Sequence, residues 1–146
     1  MTELPGEWTT FLADSERTGA NIIVTERTDL DRFRRNPRFK YCITVGLPYR
    51  GDATGMPSET AQQIAPGQTV SDAELIAQAT DLMAETLHKD PVAVLTEIST
   101  GDNRREWVFH TLSLPIFSKK INEALAPLPL LPLEFTASED PDFLTT

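Results

Sequence analysis

The stretch from Ser71 to Thr111 constrains the fold more than any other part of the chain. It opens with Ser-Asp-Ala-Glu, a capping box in which the Ser71 hydroxyl accepts from the Glu74 amide and the Glu74 carboxylate reaches the Ser71 amide. Asp90-Pro91 ends the segment, because the residue before a proline disfavours helical angles. Between these signals, apolar residues recur at the period of one buried helical stripe: Leu75, Ile76, Ala79, Leu82, Met83 and Leu87. The sequence therefore predicts an amphipathic helix over Ser71–Lys89.

Two β-rich runs follow this helix, joined by the turn residues Ser99–Asn103. In the first run, alternation predicts one shared face made of Val92, Val94, Thr96 and Ile98. In the second run, one face carries Arg105, Trp107, Phe109 and Thr111, and the other Glu106, Val108, His110 and Leu112. Because large aromatic side chains bring the most burial, Trp107 and Phe109 are expected to lie against the helix.

The flanking segments supply the remaining predicted elements. A strand over Phe39–Leu47 is indicated by period-two alternation, with one face made of Phe39, Tyr41, Ile43, Val45 and Leu47. A second helix starts at Ser113-Leu114-Pro115, and its apolar stripe is Phe117, Ile121, Ala124, Leu125 and Leu128. A last strand alternates through Leu131, Leu133 and Phe135, at a sheet edge because Pro132 cannot donate to a ladder. Asn21–Thr25 predicts an extra strand, and Glu7–Leu12 fits one helical turn or a short edge strand.

The order of these elements, βαββαβ, predicts an α+β fold of the ferredoxin-like, two-layer kind with a mainly antiparallel sheet and an extra N-terminal strand. A chain of 146 residues fits a single domain over 1–146, with an N-terminal segment 1–19 and a C-terminal tail 137–146. The stretch Tyr49–Val70, rich in glycine, proline and polar residues, predicts a long loop in which Ser58–Ile64 fits a short helix. Long loops are often functional, so a ligand is expected there first.

Charge and cysteine content restrict the partners and the compartment. A formal charge of −9 argues against nucleic acid or an anionic membrane as the partner of the whole molecule. No apolar run approaches the roughly 20 residues that cross a bilayer, and the N-terminus lacks the pattern of a secretion signal. The single Cys42 makes no internal disulfide, so the expected compartment is the cytoplasm.

A search for chemistry finds no catalytic motif. The two histidines and one cysteine have no metal-ligand spacing, and phosphate-binding glycine motifs are absent, so neither a metal nor a cofactor is predicted. Cys42 lies mid-strand, where a cysteine is usually a small buried hydrophobe. Glu97 and Glu106 occupy the two hairpin strands, and together with His110 they suggest acid–base work in a small carboxylate-dependent hydrolase. The alternative is that Glu97 faces solvent and Glu106 pairs with Arg104 or Arg105.

The segment Arg27–Lys40 concentrates basic residues and is the candidate anion site. Six of the thirteen Lys and Arg residues fall within it. A solvated connection that offsets acids elsewhere is the simpler interpretation, and recognition of an anionic ligand is the sharper one. The candidate ligand-binding residues are Arg32, Arg34, Arg35, Arg38, Arg105, Glu106 and His110.

Three segments together resemble the landmarks of an uncharacterised bacterial family, the domain of unknown function numbered six-nine-five. They are Gly55-Met56-Pro57-Ser58-Glu59, the hairpin from Thr100 to His110, and Glu139-Asp140-Pro141-Asp142-Phe143. The chain departs from the family pattern at His110 and Phe143, where Tyr and Trp are expected. The resemblance spans about Trp8 to Phe143 and implies a bacterial origin and a shared fold, with no established activity to carry over.

The sequence as a whole favours a soluble, acidic, non-catalytic binding or regulatory module. The absence of a catalytic constellation and the small α+β fold with an exposed sheet motivate this interpretation. Its expected partner is a second copy, in a homodimer formed through the sheet, or an unidentified protein. The anion-binding domain and the small hydrolase remain as alternatives.

Overall fold

The computed structural model describes residues 7–15, 19–29, 39, 41–49, 55–57, 62–66, 68–89, 92–128 and 132–139. Within these ranges the chain is a mixed α+β protein. In chain order its elements are β1 Trp8–Asp14, β2 Asn21–Arg27, β3 Tyr41–Pro48, β4 Gln62–Ala65, β5 Gln68–Val70, α1 Asp72–Lys89, β6 Ala93–Gly101, β7 Arg104–Thr111, α2 Leu114–Leu125 and β8 Glu134–Glu139.

The main sheet has six strands in the order β1-β2-β6-β7-β3-β8, and every neighbouring pair is antiparallel. Strands β3 and β6 both flank β7, so they run parallel to each other, and α1 lies in the connection between them. Helix α2 follows β7 and leads to β8, which pairs with the edge of β3 opposite to β7. Strands β4 and β5 form a separate two-stranded hairpin. The predicted antiparallel α+β architecture is confirmed at this level.

Helix α1 begins at the predicted Ser71 cap and buries four of the six residues of its predicted apolar stripe, whereas Leu75 and Leu82 are only half-buried. The Ser71 hydroxyl accepts from the Glu74 amide at 3.1 Å, which satisfies one of the free amides of the first turn. The helix presents a buried stripe of Ile76, Ala79, Met83 and Leu87 to the sheet. Burial of this stripe fixes the helix across the strands.

No helix in the described part of the chain is long and apolar enough to cross a membrane.

Both helices cover the same side of the sheet. Trp107 and Phe109 of β7 are fully buried there, as predicted, and the Phe109 ring lies 4.9 Å from that of Phe117 on α2. Helix α2 is capped by the Ser113 hydroxyl, which accepts from the Ile116 amide at 3.4 Å. A single core cluster joins α1 and α2 to β3, β6 and β7. We call this side the helix face of the sheet and the opposite side the far face.

The β6–β7 hairpin closes with two residues, a shorter turn than the predicted Ser99–Asn103. Asp102 and Asn103 both adopt left-handed angles, with φ of 54° and 62°, and Gly101 pairs directly with Arg104. Two consecutive residues with positive φ are the mark of the tight turn that matches strand twist, and Asp and Asn tolerate it. The strands therefore continue up to the turn itself.

Strand β6 contradicts the predicted shared face of Val92, Val94, Thr96 and Ile98. Its register against β7 shifts between Leu95 and Glu97, which leaves Thr96 as the extra residue of a β-bulge. Leu95 and Ile98 consequently both face the helices, although they are three residues apart. Val94 instead packs on the far face with Phe39.

The ends of the chain carry more strand than predicted. The extra strand is confirmed and runs to Arg27, and Trp8–Asp14 forms a second one, so the sheet has six strands where five were expected. Gln62–Ala65 is a strand, not the end of a short helix. The last strand lies at a sheet edge, as expected, but it starts at Glu134, after Pro132 and Leu133, and includes residues 137–139 assigned to the tail. Phe39 lies outside β3.

Candidate functional site

The structure separates the predicted ligand-binding residues. Arg105 lies on the helix face of β7, in line with Trp107, because alternate residues of a strand share a side. Glu106 and His110 lie on the far face. The remaining candidates are outside the described residues: Arg32, Arg34, Arg35 and Arg38.

The Arg105 guanidinium is held between the sheet and α1. Its Nη1 donates to the Thr100 hydroxyl at 2.6 Å, and its Nη2 donates to the Thr80 hydroxyl at 3.3 Å. Its central carbon lies 5.5 Å from the centre of the Trp107 ring, within the range of a cation–π contact. Three neighbours from α1, β6 and β7 therefore fix one guanidinium in place.

Thr80 organises these contacts. It belongs to the buried stripe of α1, one residue after Ala79, so its side chain points at the sheet. Its hydroxyl donates to the Ile76 carbonyl at 2.8 Å and accepts from the Trp107 indole Nε1–H at 3.0 Å as well as from Arg105. One buried hydroxyl thus holds both the aromatic ring and the cation.

Arg105 is a desolvated cation without a carboxylate partner among the described residues. Burial lowers the pKa of its guanidinium to about 10, and the nearby Tyr49 phenol opposes that shift. The group remains charged at neutral pH, since a pKa of about 10 lies well above it. The Nε–H is buried and has no hydrogen-bond acceptor within the described part of the chain.

The start of the predicted Tyr49–Val70 loop lies beside this guanidinium. The Tyr49 hydroxyl donates to the Gly55 carbonyl at 2.7 Å, and the Tyr49 amide donates to the Asn103 carbonyl at 3.1 Å. The Asn103 amide in turn donates to the Gly55 carbonyl at 2.9 Å. These bonds tie Gly55 to the hairpin turn, and Tyr49 lies near enough to Arg105 to affect the pKa of its guanidinium.

The adjacent Arg104 shows the opposite environment on the far face. Its guanidinium bridges two carboxylates, Glu106 at 3.3 Å and Glu134 at 2.7 Å. These acids raise the pKa of Arg104 against the lowering effect of its partial burial. The guanidinium lies across Gly46, where an added Cβ would collide with it. The charge of Arg104 is therefore satisfied within the protein.

Glu97 lies among other acids on the far face. Glu97 lies directly opposite Glu26 of β2. On its other side is β7, where Glu106 is two residues from Val108, the residue opposite Glu97. Burial raises the pKa of the Glu97 carboxyl, and the charge and hydrogen bond of Glu26 and the charge of Glu106 raise it further. Directly opposed like charges destabilise a sheet, so the carboxylates of Glu97 and Glu26 lower the free energy of unfolding at neutral pH.

The acid–base group suggested by the sequence does not converge on one point. His110 is four residues from Glu106 along β7, which corresponds to about 13 Å. His110 is opposite Cys42 and Val94, while Glu106 is held by Arg104. Glu97 is opposite Val108 and therefore lies between the other two along the ladder, and the charge of Glu106 raises the pKa of its carboxyl.

A polar cavity of about 590 Å³ opens on the far face at the turn end of the sheet. Its charged and hydroxyl-bearing lining includes Asp14, Ser15, Asp102, Arg104, Glu106 and Glu134. The Ser15 hydroxyl donates to Asp102 at 2.8 Å. Carboxylates outnumber the single guanidinium, so the cavity disfavours anions. No group of three His, Cys, Asp or Glu side chains within the described ranges is arranged to hold a metal ion.

Sequence reasoning identified Arg105 but missed Thr80 and Thr100, which hold it. Thr80 left one signal, a polar residue inside the apolar stripe of an otherwise amphipathic helix. Thr100 left none, because it was assigned to the turn and belongs to the strand.

Three comparisons, with protein-family models, with curated proteins and with solved structures, find no match to this chain.

Proposed function

We propose that this protein is a non-catalytic binding module that holds the anionic group of a ligand at Arg105. The observation that carries the proposal is the desolvated guanidinium of Arg105, which has no carboxylate partner among the described residues. Removing a cation from water costs free energy, and that cost is normally offset by a paired anion. A ligand that supplies the anion completes the site.

The geometry of the guanidinium favours an oxyanion. An arginine presents five N–H donors in a planar fork that matches carboxylate and phosphate oxygens. Thr100 and Thr80 each take one donor of Arg105, and the Trp107 ring supports the fork. The remaining donors include the buried Nε–H. The low-polarity surroundings strengthen any charge-assisted bond that forms there.

Arg104 explains why only one of the two adjacent arginines is suited to this task. Its charge is already met by Glu106 and Glu134 on an acid-rich face. Arg105 points to the other side of the same strand, where the described surroundings are apolar or hydroxylic. Two neighbouring arginines with the same sequence context therefore have opposite expected roles, and each is the control for the other.

The proposal includes a ferredoxin-like unit as the scaffold. Four neighbouring strands in the order β8-β3-β7-β6, with α1 and α2 in the two crossovers, support this description. Two further strands, β1 and β2, extend the unit at one edge. A rigid sheet with a helix packed over it holds the guanidinium with little freedom, which suits recognition of a small charged group.

The test measures binding of inorganic phosphate and of acetate by isothermal titration calorimetry, at low and high ionic strength. We expect wild-type protein to bind one of these ions, Arg105→Met to lose at least ten-fold in affinity, and Arg104→Met to bind as wild type. Affinity is expected to fall as salt rises. Absence of binding by the wild type, or equal losses in the two variants, would overturn the proposal.

A further inference from the structure

Strand β1 is an edge strand without the usual protection. The first six of its seven residues, Trp8–Ala13, carry no charge and no proline, although charges and prolines commonly block pairing at sheet edges, and its one charged residue is Asp14 at the end. Two large apolar side chains are exposed on it, Phe11 at 42% and Leu12 at 71%. In the described part of the chain, β1 pairs only with β2.

The hydrogen-bond pattern shows which groups of β1 point away from β2. The Thr28 amide donates to the Glu7 carbonyl, and the Ser15 amide donates to the Ala20 carbonyl, both at 2.8 Å. Bonded pairs alternate along an antiparallel ladder, so the odd-numbered residues of β1 bond to β2. The backbone amides and carbonyls of Thr10 and Leu12 therefore point outward.

We propose that two copies of this chain pair through β1, antiparallel, about a two-fold axis at Phe11. In this register Thr10 of each copy is opposite Leu12 of the other, so the outward groups of both residues meet. Each such pair exchanges two hydrogen bonds, which gives about four at the centre of the junction. The two main sheets become one continuous antiparallel sheet.

The proposed partner of β1 is a second copy of this chain, because β1 can pair with itself in an antiparallel register. The Phe11-centred register overlaps all of Trp8–Asp14, whereas shifting the axis by one residue shortens the overlap. It also brings the two Phe11 side chains together as a close cross-strand aromatic pair, a favourable contact in sheets. The two Asp14 carboxylates lie six residues apart along the strands, about 20 Å, so like charges do not oppose each other.

The other edge of the sheet lacks these properties. Strand β8 has Glu134 and Glu139 at its two ends, and antiparallel self-pairing within it has fewer uncharged residues to use. It nevertheless exposes one large apolar residue, Phe135 at 46%. Phe135 is therefore a matched control for an exposed apolar residue on an edge strand.

The first experiment measures molecular mass by analytical ultracentrifugation across a hundred-fold range of protein concentration. We expect a dimer for wild type and a monomer for Phe11→Lys, because two lysines would meet at the axis. Phe135→Lys should remain a dimer. A wild-type monomer at all concentrations overturns the proposal, as does an unchanged mass in Phe11→Lys.

A second experiment tests the register in a Cys42→Ser background. A non-bonded antiparallel pair has its Cα atoms about 4.5 Å apart, within disulfide range. Phe11→Cys should therefore form an intermolecular disulfide on mild oxidation. Thr9→Cys lies on the same side of β1 but about 13 Å from its own symmetry mate, and it should not. Equal cross-linking by both variants, or preferential cross-linking by Thr9→Cys, would refute the Phe11-centred register.

Discussion

Replacing Thr80 with valine tests whether one hydroxyl holds the α1–sheet contact together. Valine keeps the branched shape and removes the oxygen that accepts from Trp107 and Arg105. Trp107 is fully buried, so water cannot replace that acceptor without opening the core. The Thr80→Val variant is expected to fold with the same topology and lower stability.

The magnitude follows from the groups left behind. A buried donor that loses its acceptor costs about 1–3 kcal/mol, and the Trp107 indole N–H becomes such a donor. Arg105 retains its bond to Thr100 and can adjust, so it adds less. We expect a loss of about 2 kcal/mol in the free energy of unfolding, which lowers the melting temperature by about 6 °C in a domain of this size.

The assay is urea unfolding followed by tryptophan fluorescence, with Thr80→Ser as the control. Serine keeps the hydroxyl and loses one methyl group, at a cost of about 1 kcal/mol. In a Trp107→Phe background the cost of Thr80→Val should shrink, because the indole donor is already gone, and circular dichroism replaces fluorescence there. A Thr80→Val variant as stable as Thr80→Ser, with no coupling to Trp107, would refute the reasoning.

Two further substitutions test the sheet. Glu97→Gln should stabilise the protein by about 0.5 kcal/mol at pH 7, because it removes the charge opposed to Glu26. The folded-state pKa of Glu97 is raised, so the wild type loses stability as pH rises from about 4 towards that pKa, and the gain from glutamine should vanish below pH 4 in urea unfolding. A gain that persists at low pH would contradict this. Gly101→Ala should destabilise by about 2 kcal/mol, since φ is 146° and an added Cβ would lie 2.8 Å from Ile22. Unchanged thermal unfolding of that variant would show that the turn relaxes.

The sequence predicted those features that depend on local chemistry. The Ser71 cap and the apolar period of α1 are set by residues a few positions apart, as is the start of α2 at Ser113. The burial of Trp107 and Phe109 was also predicted correctly, because large aromatic side chains gain the most from being buried in the core. These predictions hold because the interactions that decide them are short-range or very large.

The features that escaped prediction depend on distant partners. The bulge at Thr96 exists only in relation to the register of β7, and the alternation within β6 gives no sign of it. The segment Trp8–Asp14 is too short for its sequence to decide between a helical turn and a strand. It forms a strand because it pairs with the edge of β2. Likewise, the placement of the Arg105 guanidinium against Thr80, Thr100 and Trp107 depends on three elements that meet in space, and no spacing in the sequence encodes it.

The bulge gives β6 an uncommon tolerance for a change in length. Thr96 is the one residue by which β6 exceeds its partner, so the residues on either side already alternate in step with β7. Deleting a residue from a central strand normally turns every later side chain to the wrong side. Removing Thr96 would instead leave Leu95, Glu97 and Ile98 on their present faces, at the cost of the Thr96 hydroxyl bond to the Val108 carbonyl. A related chain could therefore be one residue shorter in the middle of this strand and keep the same core.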